Sequence, residues 1–280
     1  DSARHMPLIA FVSPKGGVGK TTLAANVSAV LASLGHEVLA LDIDPQNALR
    51  LHLGVPLHEE SGYLASLRES IDWRTAIRPT RARVSLLAHG TIDPRSALDL
   101  TRLLLERPEV LANPVREMLA EPSRVVVLDA PPGATPGLSA LLPLADLICV
   151  ALLADSGSAA IIPSIATGRF LGRGTLASRS AAKAMMILNQ VELGAPLSDA
   201  VLDFAQQQMG DRPVAAVARD PAVAEALADR RLPVEGTGPG SEDLSLLADT
   251  IAKRLALEVV PPPEPPRRAF SALSAWGHRT

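Results

Sequence analysis

Six short apolar runs punctuate the chain: LIAFVS at 8–13, EVLALDI at 37–43, VSLLA at 84–88, RVVVLDA at 124–130, LICVALLA at 147–154 and AMMILNQ at 184–190. Segments with helical spacing lie between them. Runs this continuously apolar are strands buried on both faces, the mark of a parallel sheet covered by helices on each side. The pattern predicts an α/β fold, doubly wound, with a mostly parallel sheet and helices on both faces. Helices are expected from Thr21 to Leu34 with Gly35 as C-cap, from Ser96 to about Glu106, from Pro114 to about Ala120, and from Glu242 to Leu257. GTGPG at 236–240 reads as a loop.

From Val259 the chain becomes VVPPPEPPRRAFSALSAWGHRT, whose proline density forbids a regular helix or central strand in its first part. One domain over residues 6–258 is expected, followed by a Pro-rich tail at 259–280. In that tail Phe270, Leu273 and Trp276 stand three apart beside two arginines, a short docking face or a disordered end. The opening DSARH at 1–5 has no periodicity and reads as an expression-tag remnant.

The hydrophobic share of 47% over 280 residues is ample for a sizeable core. A formal net charge of −3 means that nucleic acid is not bound by bulk charge, which leaves room for a local basic face. The lone cysteine, Cys149, lies in an apolar run, so one chain can form neither a disulfide nor a thiol cluster for zinc or iron–sulfur. No apolar run approaches the roughly 20 residues that span a bilayer. The cytoplasm is the expected setting.

The chemistry concentrates in SPKGGVGKTT at 13–22, between the first strand and the first helix. That context makes a glycine pattern a phosphate site, a structural turn being the alternative. Gly16, Gly17 and Gly19 let backbone N–H groups turn inward, Lys20 reaches phosphate oxygens, and Thr21 offers its hydroxyl to Mg²⁺. The sequence has four lysines, and two of them, Lys15 and Lys20, fall within this loop. A compact ammonium suits crowded phosphates better than a planar guanidinium. Acidic residues at strand ends, Asp42 and Asp44 in LDIDPQ and Asp129 in VVVLDAPPG, stand where an open α/β sheet builds its site, with loop capping as the alternative for each.

KGGVGKTT resembles the deviant phosphate loop of the ParA/MinD family of ATPases, which implies a P-loop NTPase fold of the SIMIBI type, ATP and Mg²⁺ as ligands, and slow hydrolysis serving as a switch. The resemblance extends the phosphate cradle to Val18 and Thr22. It assigns Lys15 to the nucleotide of the other subunit in a dimer, unless Lys15 only solvates the loop. Asp44 is similar to the switch carboxylate that orients the attacking water, with Asp42 nearer the metal and Asp129 on the Mg²⁺ side. Asn189 matches the asparagine that reads the adenine amino group, with a turn-forming role as the alternative. ARDPAVAEALADRRLPV at 218–234 resembles the segment that passes beside the base.

Within the family, residues 47–74 with LRL, GV and DWR, together with SLLAHG at 85–90, resemble the cellulose-synthesis branch. The resemblance covers most of residues 7–256. It implies an ATP-state homodimer that supports assembly or polar positioning of a cellulose secretion complex at the inner membrane, with Tyr63 and Trp73 on a branch-specific surface or in ordinary half-buried packing. The rivals are a partition ATPase that binds DNA non-specifically, for which RTAIRPTRAR at 74–83 supplies four arginines, and a MinD-like positioning ATPase, which needs a membrane-seeking C-terminal helix.

Overall fold

Alternation along the central strands divides their side chains between two cores. The computed structural model describes residues 6–257, so the expected tag remnant at 1–5 and the expected tail at 259–280 lie outside the described residues. Its strands are β1 (Leu8–Val12), β2 (Glu37–Asp42), β3 (Arg78–Pro79), β4 (Ser85–Leu87), β5 (Arg124–Asp129), β6 (Leu147–Leu153), β7 (Ala184–Val191) and β8 (Val214–Ala218). They form one sheet in the order β3-β4-β2-β5-β1-β6-β7-β8. Only the β3–β4 pair at the edge is antiparallel. Leu8, Ala10 and Val12 enter one core while Ile9 and Phe11 enter the other, and β2, β5, β6 and β7 divide in the same way.

The helices are α1 (Lys20–Ser33), α2 (Leu49–His52), α3 (Pro94–Glu106), α4 (Glu109–Ala120), α5 (Pro136–Leu141), α6 (Ser156–Ala159), α7 (Ile162–Ala166), α8 (Gly174–Ala182), α9 (Pro196–Met209), α10 (Pro221–Ala228) and α11 (Pro239–Arg254). Side chains of α3, α4, α5, α7 and α9 fill the first core, and those of α1, α2 and α11 the second. The doubly wound arrangement is as expected. Helix α1 ends as predicted: Gly35 takes φ +94°, its N–H reaches Ala32 C=O, and His36 N–H reaches back to Leu31 C=O, a Schellman stop. The buried Asn26 on α1 bonds Thr22 C=O and accepts from Val234 N–H, so both ends of its amide are satisfied.

Several boundaries differ from expectation. Helix α4 starts at Glu109, five residues before the expected Pro114, which sits inside it. An interior proline costs about 3 kcal/mol. Burial of Leu111, Val115, Met118 and Leu119, at about 1.5–3 kcal/mol each, outweighs that cost. Helix α11 takes Pro239 and Gly240 of the expected loop into its first turn, where a missing N–H is harmless, and ends at Arg254 rather than Leu257. Strand β8, VAAVA, escaped the apolar pattern because alanine has little strand preference.

His52 contributes acid sensitivity. Its Nδ1 is buried without a hydrogen-bond partner, and burial lowers its pKa from 6.5 to about 4. The unfolded chain takes up this proton below about pH 6.5 and the folded chain only near 4, so stability present above 6.5 is lost as pH falls through that window. His36 and His89 are lowered by burial as well. The expected outcome is that His52→Gln loses less stability than wild type between about pH 7 and pH 5 in urea titrations. An equal loss in the two proteins would clear His52 of this role.

Candidate nucleotide site

The loop between β1 and α1 is held open by its own backbone. Gly17 and Gly19 take φ of +75° and +83°, and Ser13 Oγ donates to Lys15 C=O at 2.8 Å. Asp93, Asp155 and Asp220 cap α3, α6 and α10 with their side chains, and Thr135 caps α5. Helix α1 has Gly19 as its N-cap and, like α4, α8, α9 and α11, no side-chain cap. Its first-turn N–H groups and its positive dipole end are therefore available to an anion. Of the predicted loop residues, Gly16 and Gly17 are exposed, Val18 is buried, and Thr21 and Thr22 are half-buried on the first turn of α1.

Lys20, 6% exposed, points at the strand ends. Its Nζ donates to Asp129 Oδ1 at 3.0 Å and stands 3.9 Å from Asp44 Oδ2. Asp42 and Asp129 are direct register partners on β2 and β5 and are fully buried. Burial, then the charge of Asp129, push the Asp42 pKa well above its ordinary value. Burial also raises that of Asp129, against the opposing pull of Lys20. One cation thus faces three carboxyl groups, a balance that favours a further cation.

The residues suit Mg²⁺. Asp129 Oδ2 is buried with no hydrogen-bond partner, and the Thr21 hydroxyl lies close enough to the Asp129 carboxyl to lower its pKa. Among the described residues no group of three or more His, Cys, Asp and Glu could hold a metal alone. That accords with an ion bound through one or two protein oxygens, phosphates and water. Asp42 is differently placed: its oxygens accept from Asp44 N–H at 2.9 Å and Leu49 N–H at 3.2 Å, which fixes the loop that carries Asp44. Any metal contact from Asp42 has only its remaining lone pairs to use.

Lys15 stands apart from this cluster. It is exposed, and its Nζ lies over Gly157, where a Cβ would come within 2.8 Å of it. Asn189, near the end of β7 and 8% exposed, reaches the loop from the other side. Its Nδ2 donates to Val18 C=O at 2.8 Å, and a Cβ on Gly19 would meet that Nδ2 at 2.3 Å. Beside it opens a cavity of about 430 Å³ lined by Gly19, Thr22, Leu23, Asn189, Val217, Pro221, Val223 and Leu244 among others. The 218–234 segment contributes Arg219, Asp220 and Leu227 to its walls. The tie from Asn189 to Val18 was invisible in the sequence, since it joins residues 171 positions apart.

The 47–74 segment packs against the turn at 88–91. Asn47 Oδ1 accepts from Gly90 N–H, and Tyr63, Ala65 and Thr91 N–H groups bond across to Ala88, His89 and Glu60. At the crossing, a Cβ on Gly62 would lie 2.2 Å from Gly90 N, so main chain touches main chain. Tyr63 and Trp73, expected on a branch-specific surface, are 1% and 2% exposed and belong to the first core. Burial of their large apolar bodies outweighs display, and Trp73 Nε1–H finds Glu117. The arginines at 74–83 are partly neutralised: Arg74 pairs with Asp72, Glu117 and Glu121, and Arg78 with Glu59.

A family model described as cellulose biosynthesis protein BcsQ matches residues 6–254. The chain belongs to the BcsQ family. It is 26% identical to the BcsQ protein of Salmonella typhimurium over 235 residues, 81% of this chain and 85% of that one. A 47-residue stretch, 17% of this chain and 19% of the relative, is 55% identical to the chromosome-partitioning ATPase Soj of Thermus thermophilus. Among solved structures, the septum site-determining protein MinD of Pyrococcus horikoshii, complexed with Mg-ADP, superposes with a TM-score of 0.69 at 21% identity, covering 89% of this chain and 97% of that one. The Cyanothece McdA–ATP complex gives 0.72 at 18%, with coverage of 92% and 99%. This BcsQ-family chain therefore has the ParA/MinD-type P-loop fold.

The Asn189 contact generates a prediction that separates two roles. If Asn189 holds the phosphate loop, Asn189→Ala weakens binding of Mg-tripolyphosphate, which has no base, by about three- to tenfold, the worth of one hydrogen bond. Calorimetry with tripolyphosphate checks it, and unchanged affinity would confine Asn189 to the base pocket.

Proposed function

We propose that this BcsQ-family protein is a Mg-ATP-dependent, dimerising switch ATPase that supports assembly or polar localisation of a bacterial cellulose synthase and secretion complex. The observation that carries the ATPase reading is the buried Lys20–Asp129–Asp44 cluster beneath an uncapped helix N-terminus. The BcsQ relatives support the cellulose assignment by name. The loop N–H groups and Lys20 bind the phosphates, and Lys20 moves from Asp129 to them as the site fills. Thr21 and Asp129 hold Mg²⁺, with Asp42 behind them; when bound, Mg²⁺ neutralises charge developing on the transferred phosphoryl group. Asp44 orients the attacking water and Asn189 borders the base. Hydrolysis to ADP and phosphate is slow, as suits a switch.

Lys15, exposed beside the loop, reaches the partner subunit's phosphates and offsets the repulsion between two triphosphates brought face to face. No helix among the described residues is long and apolar enough to cross a membrane. The protein works in the cytoplasm and meets the inner membrane or the cell pole through its partners.

Lys20→Ala is expected to abolish ATP binding in calorimetry, because charge and hydrogen bonds to the phosphates leave together. Asp44→Ala keeps binding, loses hydrolysis and accumulates as an ATP-state dimer in sedimentation. Adding Lys15→Ala to it returns a monomer. A double variant that dimerises as tightly as the single one would refute the cross-subunit role. Arbitrary duplex DNA is expected to bind weakly at physiological salt even with ATP present. Micromolar or tighter ATP-dependent binding with a steep salt slope would move the protein to the partition branch.

A further inference from the structure

Between Asp155 and Glu192 the sequence has no Asp or Glu, in a chain with 30 of them among 280 residues. The same stretch holds Arg169, Arg173, Arg179 and Lys183. A protein of net charge −3 therefore has a stretch, α8 and the loop that leads into it from α7, with basic residues and no acid of its own. Arg169, Arg173 and Arg179 are exposed, and none makes an ion pair among the described residues. Arg74, Arg78 and Arg124 elsewhere are all paired.

Arg179 and Lys183 of this stretch border a recess. A cavity of about 420 Å³ lies between α8 and the turn at Leu142–Leu144, with buried Leu142 and Ile148 and half-buried Leu176 among its walls and exposed Arg179 beside it. Ser180, 3% exposed, also lines it. Lys183 directly precedes β7 and Asn189 lies near the strand's other end, so six residues of strand put roughly 20 Å between recess and base cavity. An occupant here leaves the nucleotide face free.

We propose that this recess is a docking site for a partner protein, which binds through an acidic peptide segment carrying an apolar anchor side chain. The anchor fills the apolar recess and supplies affinity, while carboxylates meet Arg179 at its rim and supply selectivity. Duplex DNA offers phosphates but nothing to fill an apolar hollow. A membrane surface takes up apolar side chains that project, and these are recessed. The chain's own segment at 259–280 has one acid, Glu264, against Arg267, Arg268 and Arg279, and carries the wrong charge. The proposal does not depend on the ATPase reading.

The experiment is selection of a displayed random peptide library on the full chain, followed by affinity measurement against two variants at surface positions. Arg179→Glu reverses the rim charge, and Thr175→Trp, at an exposed position lining the recess, fills it with the charges intact. Thermal unfolding establishes that both fold. The expected result is enrichment of peptides that combine Asp or Glu with Leu, Ile, Phe or Trp, binding each variant about tenfold or more weakly than wild type. Absence of that enrichment, or selected peptides that bind both variants as tightly as wild type, overturns the proposal. So does binding of duplex DNA or phosphatidylglycerol vesicles that Arg179→Glu abolishes, since the surface would then serve nucleic acid or lipid.

Discussion

The contact between the Lys20 ammonium and the Asp129 carboxylate, 3.0 Å apart and almost wholly buried, governs the C-terminal edge of the sheet. Three strands feed it: β1 through the loop that leads to Lys20, β5 through Asp129, and β2 through Asp42 beside Asp129 and Asp44 beyond. Charges out of water cost several kcal/mol each unless they are matched. The edge is incompletely matched, with one ammonium for three carboxyls, an imbalance that a bound cation would relieve.

The sheet was legible because its central strands carry unbroken apolar runs, and six of the eight strands follow those runs. The phosphate loop was legible because glycines, lysine and threonines fall together between strand and helix. Asp129 and Asp44 could be placed from their positions at strand ends. What stayed hidden depends on long-range contacts or weak patterns. VAAVA is too small-residued to announce a strand. Pro114 obscured the first half of α4, since the burial that outweighs it is settled only by the neighbours of Leu111 and Val115. Asn189 could be read as a base contact, but its bond to Val18 depends on how two distant strands stack.

The family-specific segment shows the same limit. Its aromatics suggested display, while the sheet and α4 supply enough surface to bury Trp73 and Tyr63 completely. Arg50, in the LRL of that segment, is buried and bonds the carbonyls of Pro56, Leu57 and Glu59. Features that distinguish a branch of a family can therefore be structural fasteners rather than contact residues.

The crossing of Gly62 over Gly90 has a mechanical consequence. Side chains between two segments act as cushions, because rotamer changes absorb small displacements before they spread. Where Gly62 meets Gly90 main chain faces main chain, and the stretch at 60–65 is hydrogen-bonded to the turn at 88–91, whose Gly90 N–H donates to the Asn47 side chain. The stretch at 60–65 and the turn at 88–91 are thus joined main chain to main chain, and the chain that carries Asp44 is tied to them through the Asn47 side chain.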